Sequence, residues 1–160
     1  ERPGLLLEKR HVDLADVARE ELERFRLRFA EKGIEVEGSF GRAPVNGDPK
    51  RLGQIAANLL SNALRYTEPG GRVRVRVATE RGSALLEVVD TGIGIAPDDL
   101  KHVFKRFWRG EKSRSRTTGG TGIGLAIVQE LVRAHDGRID VESAPGRGSA
   151  FRVFVPAVHE

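Results

Sequence analysis

The sequence predicts an α+β fold: a two-layer sandwich in which helices cover one face of a sheet whose hairpins pair antiparallel. Three observations predict it. Three separated segments show helical periodicity, short alternating strands lie between them without strict βαβ alternation, and two strand pairs are joined by tight glycine-containing turns. A length of 160 residues fits one domain with one core.

Residues 1–12 carry Pro3, Gly4 and a Leu5-Leu6-Leu7 run but no clear period. There is no methionine, even at position 1, so the sequence is expected to begin within a longer chain. Asp13 is placed to cap a first helix in which Leu14, Val17, Ala18, Leu22, Phe25 and Phe29 recur at helical spacing, and Gly33 closes it. Residues 34–40 alternate like a strand, 41–47 read as a loop or short strand, and Asp48 with Pro49 opens a second helix that runs to about Arg65. Strands at 72–79 and 84–89 form a hairpin around Arg81 and Gly82. In the first of them Arg72, Arg74 and Arg76 alternate with Val73, Val75 and Val77, which puts valines in a core and arginines on a wet face. Pro97 starts a short helix reaching about Phe107, and 109–120 is a charged, hydroxyl-rich loop. A third long helix fits 122–134 and stops at Asp136 and Gly137. Strands at 138–143 and 149–155 finish the chain around a turn containing Pro145, Gly146 and Gly148.

Composition removes several classes of function. With 39% hydrophobic residues the chain is too apolar for disorder, and no apolar run approaches the roughly 18–20 residues of a membrane span. The absence of cysteine excludes disulfides, thiolate metal sites and cysteine nucleophiles. The formal charge of +4 comes from basic residues interleaved with acids, as on a solvated surface, so no nucleic-acid partner is implied. His11, His102, His135 and His159 are scattered without ligand spacing, and no zinc site is expected.

Three motifs carry chemistry. In the second helix Asn58 and Asn62 lie four residues apart and therefore on one face. Amide oxygens are hard neutral donors suited to Mg2+, which completes its shell with waters and substrate phosphates. Arg65 and Tyr66 follow one turn later with a cation for phosphate and a flat ring for a base. Taken alone, the pair reads first as a solvated helix face, since polar residues four apart are common there; Leu59, Leu60 and Ala63 beside the amides place them at the flank of the buried stripe.

The second motif is Asp90-Thr91-Gly92-Ile93-Gly94, directly after an apolar strand. An ionised aspartate only accepts hydrogen bonds, so it suits the exocyclic amino group of adenine and repels the carbonyl that guanine carries there. Asp-Thr-Gly after a strand also marks dimeric aspartic proteases, but the flanking Gly94 and Pro97 and the amide-bearing helix have no use in that chemistry. An ordinary tight turn is the blander rival. The third motif is Gly119-Gly120-Thr121-Gly122-Ile123-Gly124, where polar sequence enters an apolar helix and backbone amides can approach a polyphosphate. It is neither a P-loop nor a dinucleotide fingerprint, and alone it reads as well as a hinge. Phe104, Phe107 and Trp108 around Lys105 and Arg106 are explained first by packing.

The order of these motifs resembles the catalytic and ATP-binding domain of two-component sensor histidine kinases. The matching pieces are the N box Asn58-Leu59-Leu60-Ser61-Asn62-Ala63-Leu64-Arg65-Tyr66-Thr67, the first glycine box Asp90-Thr91-Gly92-Ile93-Gly94-Ile95, the F box Val103-Phe104-Lys105-Arg106-Phe107-Trp108-Arg109, and the second glycine box Gly120-Thr121-Gly122-Ile123-Gly124-Leu125. Ala134-His135-Asp136-Gly137 and the segment from Ser143 to Ser149 match as well, with Asp136 where the family usually has glycine.

The resemblance implies the Bergerat fold, a mixed sheet against three helices, with a flexible ATP lid at about 109–119. It implies ATP and Mg2+ as cofactors, with metal at Asn62 aided by Asn58, adenine at Asp90 near Tyr66, and phosphates at Arg65 and the second glycine box. Lysine is commoner at position 65 in the family. Within the boxes Gly92, Gly94, Ile95, Phe104, Phe107, Gly120, Thr121, Gly122, Ile123, Gly124 and Leu125 are expected to shape the nucleotide site. Arg109, Lys112, Arg114 and Arg116 are candidate lid cations near the γ-phosphate. Residues 13–156 would be the ATP-binding domain, 1–12 the remnant of a linker from a dimerisation and phosphoacceptor region, and 157–160 a tail.

Related gyrase, mismatch-repair and chaperone ATPases carry glutamate at the first N-box position to activate water. Asn58 is a poor base, so the site is expected to orient ATP for transfer to a histidine on a separate dimerisation domain of the same parent, and onward to a response regulator. The fragment alone should label itself negligibly. The resemblance further implies a cytoplasmic domain, without membrane insertion of its own, of a membrane-anchored bacterial parent. The alternatives are a serine kinase of the anti-sigma-factor type, which usually carries glutamate at the first N-box position, and a degenerate nucleotide-sensing or docking module.

Overall fold

The computed structural model describes residues 6–100, 102–104 and 123–159. The elements run in the order β1 (Arg10–Asp13), α1 (Leu14–Lys32), β2 (Glu35–Phe40), β3 (Pro44–Gly47), α2 (Pro49–Tyr66), β4 (Arg72–Glu80), β5 (Ser83–Asp90), α3 (Pro97–Leu100), α4 (Ile123–Ala134), β6 (Arg138–Ala144) and β7 (Gly148–Pro156). Five strands form a mixed sheet in the order β2-β4-β5-β7-β6. All pairs are antiparallel except β2–β4, which is parallel because α2 makes the crossover between them.

Local chemistry explains the helix ends. The Asp13 carboxylate accepts the Ala15 N–H at 3.0 Å, and Gly33 ends α1 in the left-handed region at φ 81°. Asp48 caps α2 through the amides of Lys50 and Arg51 at 3.0 and 3.3 Å, with Pro49 in the first turn. Asp136 follows α4 at φ 63°, a conformation natural to glycine and tolerated by aspartate, so the departure noted there fits the local backbone. The two-residue turn Arg81-Gly82 has both φ angles positive, which matches the twist of its flanking strands.

The predicted alternation sets the two faces of the sheet. Val75, Val88, Phe151 and Val141 form one cross-strand row on the helix side, and Val77, Leu86, Val153 and Ile139 form the next. Against them pack Leu22, Phe29, Leu52, Ile55, Leu59, Val128 and Val132 from α1, α2 and α4. Each such buried aliphatic or aromatic side chain contributes about 1.5–3 kcal/mol relative to exposure.

Two elements differ from the sequence reading. Residues 10–13 form β1, paired antiparallel with β3, although the local sequence has no period there. Its partner lies more than thirty positions away, a pairing that no window of local periodicity registers. The helix opened by Pro97 ends at Leu100 and gives way to a turn over 102–104. The rest of its expected span, to Phe107, lies outside the described residues.

Candidate nucleotide site

One end of the sandwich gathers most of the described candidates. On the helix side the last cross-strand row starts apolar at Val73 and then turns polar: Val73 pairs with Asp90, Asp90 with Ser149, and Ser149 with Ser143. Asp90 is only 5% exposed. Its Oδ1 accepts the Gly92 N–H at 2.8 Å, and the backbone N–H of Ser149 also donates to the carboxylate. Burial pushes the Asp90 carboxyl above its ordinary value, and these two hydrogen bonds offset only part of that rise. Among the described residues the carboxylate has no cationic partner.

The loop after Asp90 is wedged between two neighbours. On one side the Ile93 N–H donates to the Tyr66 carbonyl at the end of α2 at 3.2 Å, and a Cβ on Gly92 would strike that same oxygen. On the other side the Ile95 N–H donates to Ser143 Oγ at 2.8 Å, and the Gly146 N–H to the Ile93 carbonyl at 2.7 Å. Gly94 has φ 77°, and a Cβ there would collide with the Ala144 carbonyl oxygen. Both glycines are therefore required by close backbone approach. Ser143 Oγ donates to the Gly148 carbonyl and lies 2.8 Å from Ser149 Oγ, which closes the network.

Helix α2 supplies Asn58, Asn62, Arg65 and Tyr66, all half-buried. Asn58 Nδ2 donates to the Gly124 carbonyl in the first turn of α4 at 3.3 Å, so the N box touches the start of the helix that ends the second glycine box. That bond uses one amide N–H; the amide oxygen is a hard neutral donor atom of the kind Mg2+ takes. The Arg65 guanidinium lies 6.0 Å from the Tyr66 ring centroid. Among the described residues no group of three or more His, Cys, Asp or Glu side chains is arranged to hold a metal.

Leu125 belongs to the hydrophobic core, and Ile95 and Phe104 pack against it. Ile123 opens α4. Arg109, Phe107, Gly120, Thr121 and Gly122 lie outside the described residues, as does the lid expected at 109–119.

The sequence reading quoted Ser143 and Ser149 only within a closing motif, yet they anchor Asp90 and its loop. The available signal was strand parity. Ser149 shares the inward phase of Phe151, Val153 and Val155, and a polar residue on a core phase at a strand end points to a site.

With this geometry in hand, the family described as "Histidine kinase-, DNA gyrase B-, and HSP90-like ATPase" matches residues 47–159. The chain belongs to that family. Its relatives are sensor histidine kinases, and it corresponds to their ATPase-type catalytic domain. It is 46% identical over 118 residues to sensor histidine kinase RppB of Synechocystis, covering 74% of this chain and 26% of that protein. It is 42% identical over 153 residues to the sensor-like histidine kinase SenX3 of Mycobacterium bovis, covering 93% of this chain and 37% of SenX3. The chain thus spans between a quarter and two fifths of these relatives. The structure of the mycobacterial sensor histidine kinase MprB is 35% identical with a TM-score of 0.81, and the match covers 95% of this chain and 99% of that one. Full-length ShkA in complex with AMPPNP is 32% identical with a TM-score of 0.83, over 98% of this chain and 32% of ShkA. None of these relatives is a serine kinase of the anti-sigma-factor type or a docking module. Among the described residues no helix is long and apolar enough to cross a membrane.

Proposed function

We propose that this domain binds Mg-ATP and positions the γ-phosphoryl group for transfer to a histidine on a dimerisation domain of the same parent, which passes it to a response regulator. The observation that carries the reading is Asp90: a buried carboxylate held by backbone amides alone among the described residues, in the polar part of its cross-strand row between α2 and the β6–β7 turn. When bound, ATP supplies the phosphoryl group and Mg2+ neutralises phosphate charge. Asp90 accepts a hydrogen bond from the adenine amino group, and Tyr66 lies along the base. Asn62, with Asn58, holds the metal through amide oxygens, and Arg65 donates to phosphate. An amide at position 58 has no useful basicity, so water is not activated there and the phosphoryl group is kept for the imidazole acceptor. That the related ShkA structure holds AMPPNP supports a nucleotide as ligand. We also assign the domain to the cytoplasmic side of a membrane-anchored bacterial parent.

Calorimetric titration tests the site. ATP should bind only weakly without magnesium, GTP should fail to bind, and Asn62→Ala should weaken Mg-ATP binding by about 10-fold, the loss of one charge-assisted contact. Mixing the domain with its parent's phosphoacceptor region and labelled ATP should then give an acid-labile, base-stable phosphoprotein. ATP binding without any such transfer would reduce the domain to a nucleotide sensor.

A further inference from the structure

We propose that Lys32, the last residue of α1, is a positioning residue for the nucleotide site; this rests on the reading of Arg65, Tyr66 and the Asp90 loop as that site. The last four carbonyls of any helix lack intrahelical donors. At the end of α2, the Ala63 carbonyl accepts the Thr67 N–H at 3.1 Å and the Tyr66 carbonyl accepts the Ile93 N–H at 3.2 Å. Continued helix would offer the Arg65 carbonyl the N–H of residue 69, but Pro69 has none, and the chain has already turned extended at Thr67. Lys32 supplies what is missing: its Nζ donates to the Leu64 carbonyl at 2.7 Å and the Arg65 carbonyl at 3.2 Å. An ammonium at a helix C-terminus also complements the macrodipole.

The surrounding backbone holds Lys32 in place. The Gly70 N–H donates to the Gly33 carbonyl at 2.8 Å, and the Glu35 N–H donates to the Gly71 carbonyl at 3.0 Å, so the turn after α1 is laced to the loop after α2. Through Lys32 the order of α1 is passed to the turn carrying Arg65 and Tyr66, and through the Tyr66 carbonyl to the glycine loop beside Asp90. Loss of the ammonium would leave two carbonyls to water, fray that turn, and loosen two walls of the site together.

The test compares Lys32→Met, which keeps the apolar stem, with Lys32→Arg, which keeps charged donors, and with Glu31→Gln as an exposed neighbour. Two quantities are read on folded protein: the Mg-ATP dissociation constant and the hydrogen-exchange rate of the Ile93 amide. Lys32→Met should weaken ATP and speed Ile93 exchange, each by about 10-fold, the loss of a charge-assisted hydrogen bond. Lys32→Arg and Glu31→Gln should stay within about 2-fold of wild type, inside the range of ordinary surface changes. A lower melting temperature with unchanged affinity and unchanged Ile93 exchange would make Lys32 a stabilising residue only and overturn the proposal. If Lys32→Met does not fold, Lys32→Gln is read by the same two measurements, and wild-type values there overturn it equally. If the unaltered domain fails to bind ATP, the nucleotide reading falls. Ile93 exchange then decides the positioning role, with a wild-type rate in Lys32→Met overturning it.

Discussion

Strand β5 carries two buried carboxylates three residues apart, Glu87 and Asp90, at 6% and 5% exposure, and the sheet puts them on opposite faces. Glu87 lies on the face away from the helices, in a row where Arg76, Glu87, Arg152 and Asp140 alternate in charge. Arg152 Nε reaches it at 2.7 Å and Arg76 Nε at 3.1 Å, while Arg152 and Arg76 continue to Glu142 and Glu80 at 2.9 and 3.3 Å. Burial pushes the Glu87 carboxyl up, but hydrogen bonds and charge from Arg152 and Arg76 outweigh it and hold the group below its ordinary value. Asp90 is desolvated as well, among the described residues only backbone amides offset that, and its carboxyl stays raised. Two carboxylates with little exposed surface thus shift in opposite directions, Glu87 because its arginines outweigh burial and Asp90 because its amides do not. A carboxylate surrounded by cations is committed to structure, whereas one left without them costs stability and keeps its acceptor capacity for a ligand.

The sharpest break of this contrast is Asp90→Asn. The Gly92 and Ser149 amides would take the new carbonyl oxygen and turn the amide's NH2 toward the adenine amino group, donor against donor. ATP affinity should fall about 100-fold by calorimetry. Stability should not fall with it. Because folding raises the Asp90 pKa, the wild-type domain loses stability as pH rises from the ordinary 3.8 through the raised value, and the variant should lack that loss in pH-dependent denaturation.

Gly94→Ala strikes the loop that holds Asp90 in place. A positive φ combined with a collision against the Ala144 carbonyl should lower unfolding free energy by about 2–4 kcal/mol, read by denaturant melts. Recovery of full stability in that variant would mean the loop is not held against β6.

Glu87→Gln should reverse the Asp90 pattern at smaller size. Since Arg76 and Arg152 are about one-third exposed, the loss is screened to about 1 kcal/mol, with ATP affinity unchanged. Its lowered pKa makes the wild-type contribution complete above the ordinary 4.5 and lost as pH falls through the lowered value, so the variant should approach wild type in acid. A fall in ATP affinity would show that the bare face communicates with the site.

Much of this was legible in the residues. Period-2 valines and arginines marked the two faces of β4, Asp13 and Asp48 marked the starts of α1 and α2, and the spacing of Asn58 and Asn62 placed both on one side of a helix. The amides of Gly92 and Ser149 on Asp90, the bond from Asn58 to Gly124, and β1 itself were not legible. Each joins residues through a turn geometry or across a sequence gap that local patterns do not encode.

By itself the sequence determined most of the helices and strands and which side of each faces the core, because propensity, capping and periodicity act within a few residues. Tertiary structure alone decided that Glu87 would be held by two arginines while Asp90, among the described residues, would be held by backbone amides, and that Lys32 would reach the Leu64 carbonyl and the Arg65 carbonyl that Pro69 leaves open. Charge compensation and backbone satisfaction depend on distance in space, and the sheet register and helix packing set those distances.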